Sequence, residues 1–271
     1  MQSDLKSDCL NCFGLCCVSL PYMKSNDFPY DKDSGEPCRH LCSDHRCSIH
    51  ESLRDKGFRG CVSYECFGAG QKVSQVVYKG KDWREDNRMA EEMFSVFPVV
   101  QQLHEMLFYL KQAIELEEAK DFKLEIQALY DLTYTLTIKA PEEILALDVE
   151  AHRNKINPMF IEVSDIYRSQ YRKKGKGSGT KKKRVDYIGA NFANVDMKGH
   201  DLRGTFLIAA NLTNSDLRRA DFIGADLRDA DLSGANLAGA LFLTQSQIQS
   251  AKGDKTTVLP DYVERPQHWG S

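Results

Sequence analysis

From Ala190 to Thr244 one five-residue unit recurs eleven times without a break in phase: ANFAN, VDMKG, HDLRG, TFLIA, ANLTN, SDLRR, ADFIG, ADLRD, ADLSG, ANLAG, ALFLT. Every unit is centred on an apolar residue: Phe192, Met197, Leu202, Leu207, Leu212, Leu217, Phe222, Leu227, Leu232, Leu237 and Phe242. Two places earlier the side chain is small in nine of the eleven. A weaker unit, Val185 to Gly189, extends the phase upstream on Tyr187. Neither a helical step of about 3.6 nor a strand alternation of about two produces a period of five. A short fixed period implies a solenoid, in which each unit buries its apolar residue only by stacking on its neighbours.

The pattern A(D/N)LxX resembles the pentapeptide-repeat family. The resemblance implies a right-handed, four-sided β-helix with four units per coil, the central Leu or Phe pointing inward and the small residue filling the space beside it. So narrow a coil has no room for two large side chains per unit, and Leu in place of Ala225 or Ala230 would overpack it. Asn, Asp, Gly and Arg face solvent or the corners, where Asn and Asp side chains bond nearby backbone. His200 and Thr205 depart from the small residue in adjacent units, and Phe206 stands where Asp or Asn is usual; this predicts a local irregularity, with a binding bulge as the functional version.

All nine cysteines precede residue 67. The opening MQSDLKSD is not a basic leader, and no apolar run approaches the ~18 residues that span a bilayer; the expectation is a cytoplasmic chain that does not enter a membrane. An odd number of thiols in a reducing compartment points to metal or redox chemistry rather than disulfides. The C-x-x-C-x-x-x-C-C opening, followed by CRHLCSDHRCSIHESLR and GCVSYEC, resembles a zinc- or iron-chelating cysteine-cluster family. That resemblance implies the ligands Cys9, Cys12, Cys16, Cys17, Cys38, Cys47, Cys61 and Cys66, leaving Cys42 spare. Thiolates at such spacings suit zinc, or iron and iron–sulfur, and eight could serve two four-ligand sites. Adjacent Cys16 and Cys17 point apart, toward different sites or one bridged site; the alternative is a zinc knuckle that only holds the domain together. His40, His45 and His50 lie among the thiols as further candidates. Gly68 and Gly70 carry no phosphate-loop spacing and read as turn residues.

Residues 83–171 lose Cys and Gly and become helical. One stripe runs Phe94, Phe97, Val100, Leu103, Leu107, Leu110, Ile114, with a kink or a start at Pro98. A second runs Phe122, Ile126, Leu129, Leu132, Leu136. Pro141 opens a third helix and Asn157-Pro158 restarts a fourth. The fold expected is multidomain α+β: a cysteine-rich metal-binding domain (1–80), a helical domain (83–171), a basic flexible linker (172–184), the repeat β-helix (185–244) and a tail (245–271). In that tail Ile248 and Val258 cover the open end of the stack, and Trp269 either anchors the tail or forms a homodimer contact.

No nucleophile elbow, phosphate loop, H-E-x-x-H or paired-acid signature is present, and catalysis is not indicated. The leading expectation is a non-catalytic cytoplasmic scaffold with a metal-stabilised cysteine cluster, binding a protein partner through its solenoid. A net charge of −3 gives no drive toward nucleic acid. One alternative, implied by the repeat family, is a DNA mimic that binds DNA gyrase and gives antibiotic resistance. Three coils at strand spacing rise roughly 14 Å, where DNA carries about eight phosphate charges. The repeats offer only a net −3 over Val185 to Thr244. The other alternative is an iron or iron–sulfur redox protein.

Overall fold

The computed structural model describes residues 3–171 and 186–270. The basic stretch 172–184 lies outside them. Two compact units are present, Met1–Phe160 and Ile161–Ser271.

In the first unit the cysteine-bearing loops and the helices share a core. Short helices α1 (Leu15–Ser19), α2 (Arg59–Ser63) and α3 (Ala69–Gln71) punctuate the loops, and α3 runs on as a π-helical turn, Lys72–Val77. Leu15, Val18, Cys66, Ala69 and Val73 pack with Trp83, Met93, Phe97, Val100 and Ile144. The expected border between a cysteine domain and a helical domain therefore runs through one continuous core. Helix α4 (Asn87–Glu115) starts where the Asp86 carboxylate accepts the N–H groups of Arg88 and Met89. It passes Pro98 without ending, because buried Val96 and Phe97 before the proline and Val100 and Leu103 after it hold both halves.

Helix α5 (Lys123–Leu136) buries Ile126 and Thr133, whereas Leu132, expected inside, is 38% exposed. The Thr133 hydroxyl bonds Leu129 O and the His152 ring, so the inward line is partly polar. Helix α6 (Pro141–Leu145) begins at its proline, as read, with Glu143 accepting the Ala140 N–H. Helix α7 (Val149–Ser169) does not restart at Pro158 but runs through it. Its residues from Ile161 onward belong to the second unit.

The second unit is the solenoid. Single parallel bridges join residues 20 apart, Asp186 to Phe206, Asn191 to Asn211, and so on to Asp221 with Leu241. Four five-residue units therefore make one coil. Extended strands are absent among the described residues, since each side contributes one bridging residue before the next corner. Each corner is a turn whose third residue is left-handed, which accounts for Gly199, Gly204, Gly224, Gly234 and Gly239 and for Asn194 and Asn214. The central side chains stack in columns, Met197–Leu217–Leu237 for one, all 4% exposed or less.

The expected irregularity does not occur. Asp201 and Phe206 make regular bridges to Asp221 and Asp226. Thr205 is 3% exposed, and its hydroxyl donates to Leu202 O at 2.7 Å, the arrangement Ser215 makes with Leu212 O. A short hydroxyl thus substitutes for alanine by bonding its own turn, while His200 is exposed on the outermost coil.

The tail continues the coil. Helix α8 (Gln245–Ser250) replaces a repeat, and the Gln247 amide donates to Phe222 O and Ala225 O in place of a backbone rung. Lys252 and Val258 then bridge Asp231 and Asn236. Ile248 is buried as expected, but Val258 contributes only backbone and its side chain is 44% exposed. Val263 and Trp269 close the stack instead, with the indole N–H on Ala251 O. Trp269 therefore anchors the tail, and at 2% exposure it is not available for a dimer contact.

Candidate functional site

All nine cysteines are free thiols, and the charges that eight of them exert on one another fall into two sets that meet at Cys16 and Cys17. The first is Cys9, Cys12, Cys16 and Cys66. The Cys12 thiol donates to Cys9 O at 3.5 Å, and Leu15 N–H bonds Cys12 O, which leads the chain into α1 and Cys16. Cys66 is held by the Ser7 hydroxyl at 3.0 Å, and four residues on Gly70 lies against Cys12. A methyl at Gly70 would sit 2.7 Å from Cys12 Cβ. Gly70 is therefore a close-approach residue and not the turn residue read from the sequence. Gly70→Ala should lower stability by about 1–3 kcal/mol, as overpacking does, and a denaturant titration showing no shift would remove this contact from the account. The Cys12 hydrogen bond, then burial, pushes the Cys9 thiol up. The Cys17 thiol, then burial, does the same for Cys16, with Cys12 and Cys66 adding to it.

The second group is Cys17, Cys38, Cys47 and Cys61. Cys38 N–H bonds Cys17 O at 3.0 Å, and Cys47 bridges Leu41, itself bonded to Cys38 O. Cys61 follows Phe58, whose ring packs edge-on against Tyr30 and His40. Burial, then Cys17, Cys38 and Cys47, push the Cys61 thiol up to about 12. Cys16 and Cys17 stand at the junction with their sulfurs 4.0 Å apart. Among the described residues, no three His, Cys, Asp or Glu side chains converge on one metal position.

Cys42 is exposed. Of the histidines, His45 Nε2 is committed to Asp82 at 2.8 Å, His40 lies on Phe58, and His50 is exposed. One histidine that lacks ligand spacing in the sequence is placed beside this region: His104, 1% exposed on α4, bonds Phe67 O just past Cys66 at 2.8 Å. Burial lowers its pKa to about 4, so the ring is neutral there. Nothing in its spacing marks it, because its partner is a backbone carbonyl.

On the solenoid, carboxylates and amides at the bridging position cap the following turn, Asp196 Oδ1 accepting Lys198 N–H and Asn236 Oδ1 accepting Ala238 N–H. Arg203, Arg218 and Arg228 each clamp the acid two residues before them, Asp201, Asp216 and Asp226. Asp221 differs from all of these in being fully buried. It accepts from Ser164 on α7, and Arg168, also fully buried, donates to Ser164 Oγ at 2.9 Å, to Gly199 O at 3.3 Å and to Asp165 at 2.7 Å. Tyr167 donates to Gly239 O, so the helix end runs along Gly199, Arg219 and Gly239, one corner in three successive coils.

Residues 207–242 match the pentapeptide-repeat family in eight copies. The "Uncharacterized protein YybG" of Bacillus subtilis (strain 168) is 52% identical over 266 residues, spanning 98% of this chain and 95% of that protein. Among solved structures, the pentapeptide repeat protein Rfr23 from Cyanothece 51142 matches at 29% identity with a TM-score of 0.26, over 28% of this chain and 52% of that one. The match thus spans about half the length of Rfr23. A pentapeptide repeat protein from the Arabidopsis thaliana thylakoid lumen matches at 27% identity and a TM-score of 0.16, over 30% of this chain and 64% of its own. No helix among the described residues is long and apolar enough to cross a membrane.

Proposed function

Since the chain belongs to the family of Bacillus subtilis YybG and carries pentapeptide repeats, we propose that it is a non-catalytic scaffold. In this reading a right-handed, four-sided coil presents a rigid surface to a protein partner, and a thiol-bound metal stabilises the first unit. The cellular setting proposed is the cytoplasm, where free thiols persist. The observation that carries the scaffold reading is the solenoid's economy: its inward positions are packed apolar or small residues, and its bridging acids and amides are engaged in capping their own turns. What remains for a partner is the flat outer faces.

The metal part rests on donor chemistry. Eight soft thiols lie near enough to act on one another's charge, and thiolates alone can hold zinc or an iron–sulfur centre. Convergence on a metal requires the thiol side chains to turn inward from the arrangement described above. Gyrase mimicry is not adopted, because three of the outward acids are clamped by arginines of their own units and Asp221 is buried. The test is metal content per chain in full-length protein purified without added metal. Cys16→Ser should release metal and loosen the first unit, as binding and folding are linked in such sites. Cys42→Ser should retain it. Equal losses in the two variants would refute the ligand assignment, and a metal-free wild type would end the metal reading. Zinc at fixed stoichiometry supports a structural role; iron with visible absorbance supports a redox one.

A further inference from the structure

The end of α7 lies on the coil in a seat of defined chemistry. Its floor is the corner Gly199, Arg219, Gly239, where the glycines serve more than their left-handed backbone. A methyl at Gly199 would lie 3.0 Å from Tyr171 Cβ, and one at Gly239 would lie 3.0 Å from the Tyr167 hydroxyl. At the equally left-handed Gly189 and Gly204 a methyl meets nothing among the described residues within 4 Å. Between the two seat glycines the Arg219 guanidinium faces both rings, 4.9 Å from the centre of Tyr167 and 4.5 Å from that of Tyr171. Beside this corner the Arg168 guanidinium donates to Gly199 O and stands 3.7 Å from Asp201, while the Ser164 hydroxyl joins it to Asp221. The seat thus reads a helix by a guanidinium, a hydroxyl one turn before it and an adjacent aromatic ring.

The fit is incomplete. Arg203 Nη1 is buried without a hydrogen-bond partner among the described residues, although Nε and Nη2 of the same side chain hold Asp201. Burial also keeps the Asp221 carboxyl up at about 6. A buried polar network left partly satisfied is costly, and even a well-formed buried ionic contact adds little net stability. Lifting the whole helix end returns every one of these charges to water, unlike removing Arg168 alone, which strands Asp221. The contact is therefore selective in its side chains and weak in net free energy, as interfaces that open are.

We propose that this corner is a docking seat for an arginine-bearing helix of a protein partner, which α7 occupies in cis as an autoinhibitory contact. The partner helix repeats the arginine and its aromatic neighbour, and adds a carboxylate or amide oxygen that reaches Arg203 Nη1. This goes beyond the scaffold reading, which needs only the flat faces.

The probe is a labelled peptide with the sequence of residues 149–171, titrated into the full-length chain by fluorescence anisotropy. Wild type should bind it weakly, because its own α7 competes as a tethered segment. Ser164→Ala in the chain cuts the link between Arg168 and Asp221, and should tighten peptide binding roughly tenfold by raising the fraction of vacant seats. Tyr167→Phe in the chain removes only the hydroxyl bonded to Gly239 O and should tighten it in the same direction, which keeps the proposal testable if Ser164→Ala fails to fold. The gain should vanish when the peptide carries Arg168→Met, and when Asp221→Asn is added to the Ser164→Ala chain. Equal binding by wild type and both variants, or binding indifferent to the peptide's arginine, overturns the seat. Absence of binding to every chain overturns it too, and leaves partner binding at the flat faces untouched.

Discussion

Leu217→Ala should lower the unfolding free energy of the repeat unit by about 2–5 kcal/mol, whereas Arg218→Ala, one residue along, should barely move the denaturation midpoint. Leu217 is fully buried in its column between Met197 and Leu237. The coil cannot close over the gap, because the bridges on either side fix the spacing of the coils above and below. Residual cavity, and not only lost transfer free energy, then adds to the loss. Arg218 is 45% exposed and clamps Asp216 in solvent, where such pairs contribute little. The reverse change at the neighbouring column should also be harmful: Ala230 has no exposed surface, and Leu there adds volume that no rotamer can place. Urea titrations followed by circular dichroism check all three. Equal shifts for Leu217→Ala and Arg218→Ala would mean that the repeat phase is wrong by one residue.

The phase of the repeat was legible because one position carries both the period and the burial. Leu217, Leu227 and Leu237 are inward for the reason they are leucine, and no distant residue is needed to see it. The cap was half legible. Ile248 is apolar and buried, but Val258 looks equivalent and is not, because the insertion of α8 shifts which residue of the tail supplies backbone and which supplies side chain. Pro158, and the start offered as one alternative at Pro98, misled for a different reason. The rule that proline breaks a helix is a local energy of about 3 kcal/mol, and the buried side chains on both flanks of Pro98 outweigh it. In the thiol loops the cysteines announced themselves, but their division into two groups did not, since it depends on where Cys66 and Cys61 return after long loops. Asp221 was the hardest of all. It occupies the same place in its unit as Asp226, five residues on, and only α7, more than fifty residues earlier in the chain, buries one and leaves the other at the surface.

Arg168→Met should destabilise the repeat unit by about 3–5 kcal/mol at neutral pH, the loss expected when one partner of a buried ionic group is removed. Asp165, Asp201 and Asp221 face Arg168 and Arg203 in this cluster, with Arg168 at 2.7 Å from Asp165 and 3.7 Å from Asp201. Without Arg168, three carboxylates are left with one guanidinium, and Asp221 has no solvent to turn to. Burial already raises Asp221 to about 6, against the opposing pull of the Ile223 N–H, Ser164 and the two arginines. A carboxylate raised in the folded state binds its proton more tightly folded than unfolded, so it favours folding below about pH 4 and loses that contribution as pH rises to 6. Two consequences separate charge from packing. In wild type this group alone should withdraw about 3 kcal/mol between pH 4 and 7, and the stability difference between wild type and Asp221→Asn should change by that amount over the same interval. In Arg168→Met the loss should shrink at pH 5, where Asp221 has taken up its proton and no longer needs the cation. Stability curves for the three proteins at pH 5 and pH 7 decide the matter. An Arg168→Met loss that is the same at both values would assign Arg168 to packing alone, and would remove it as the charge partner of the buried Asp221 carboxylate.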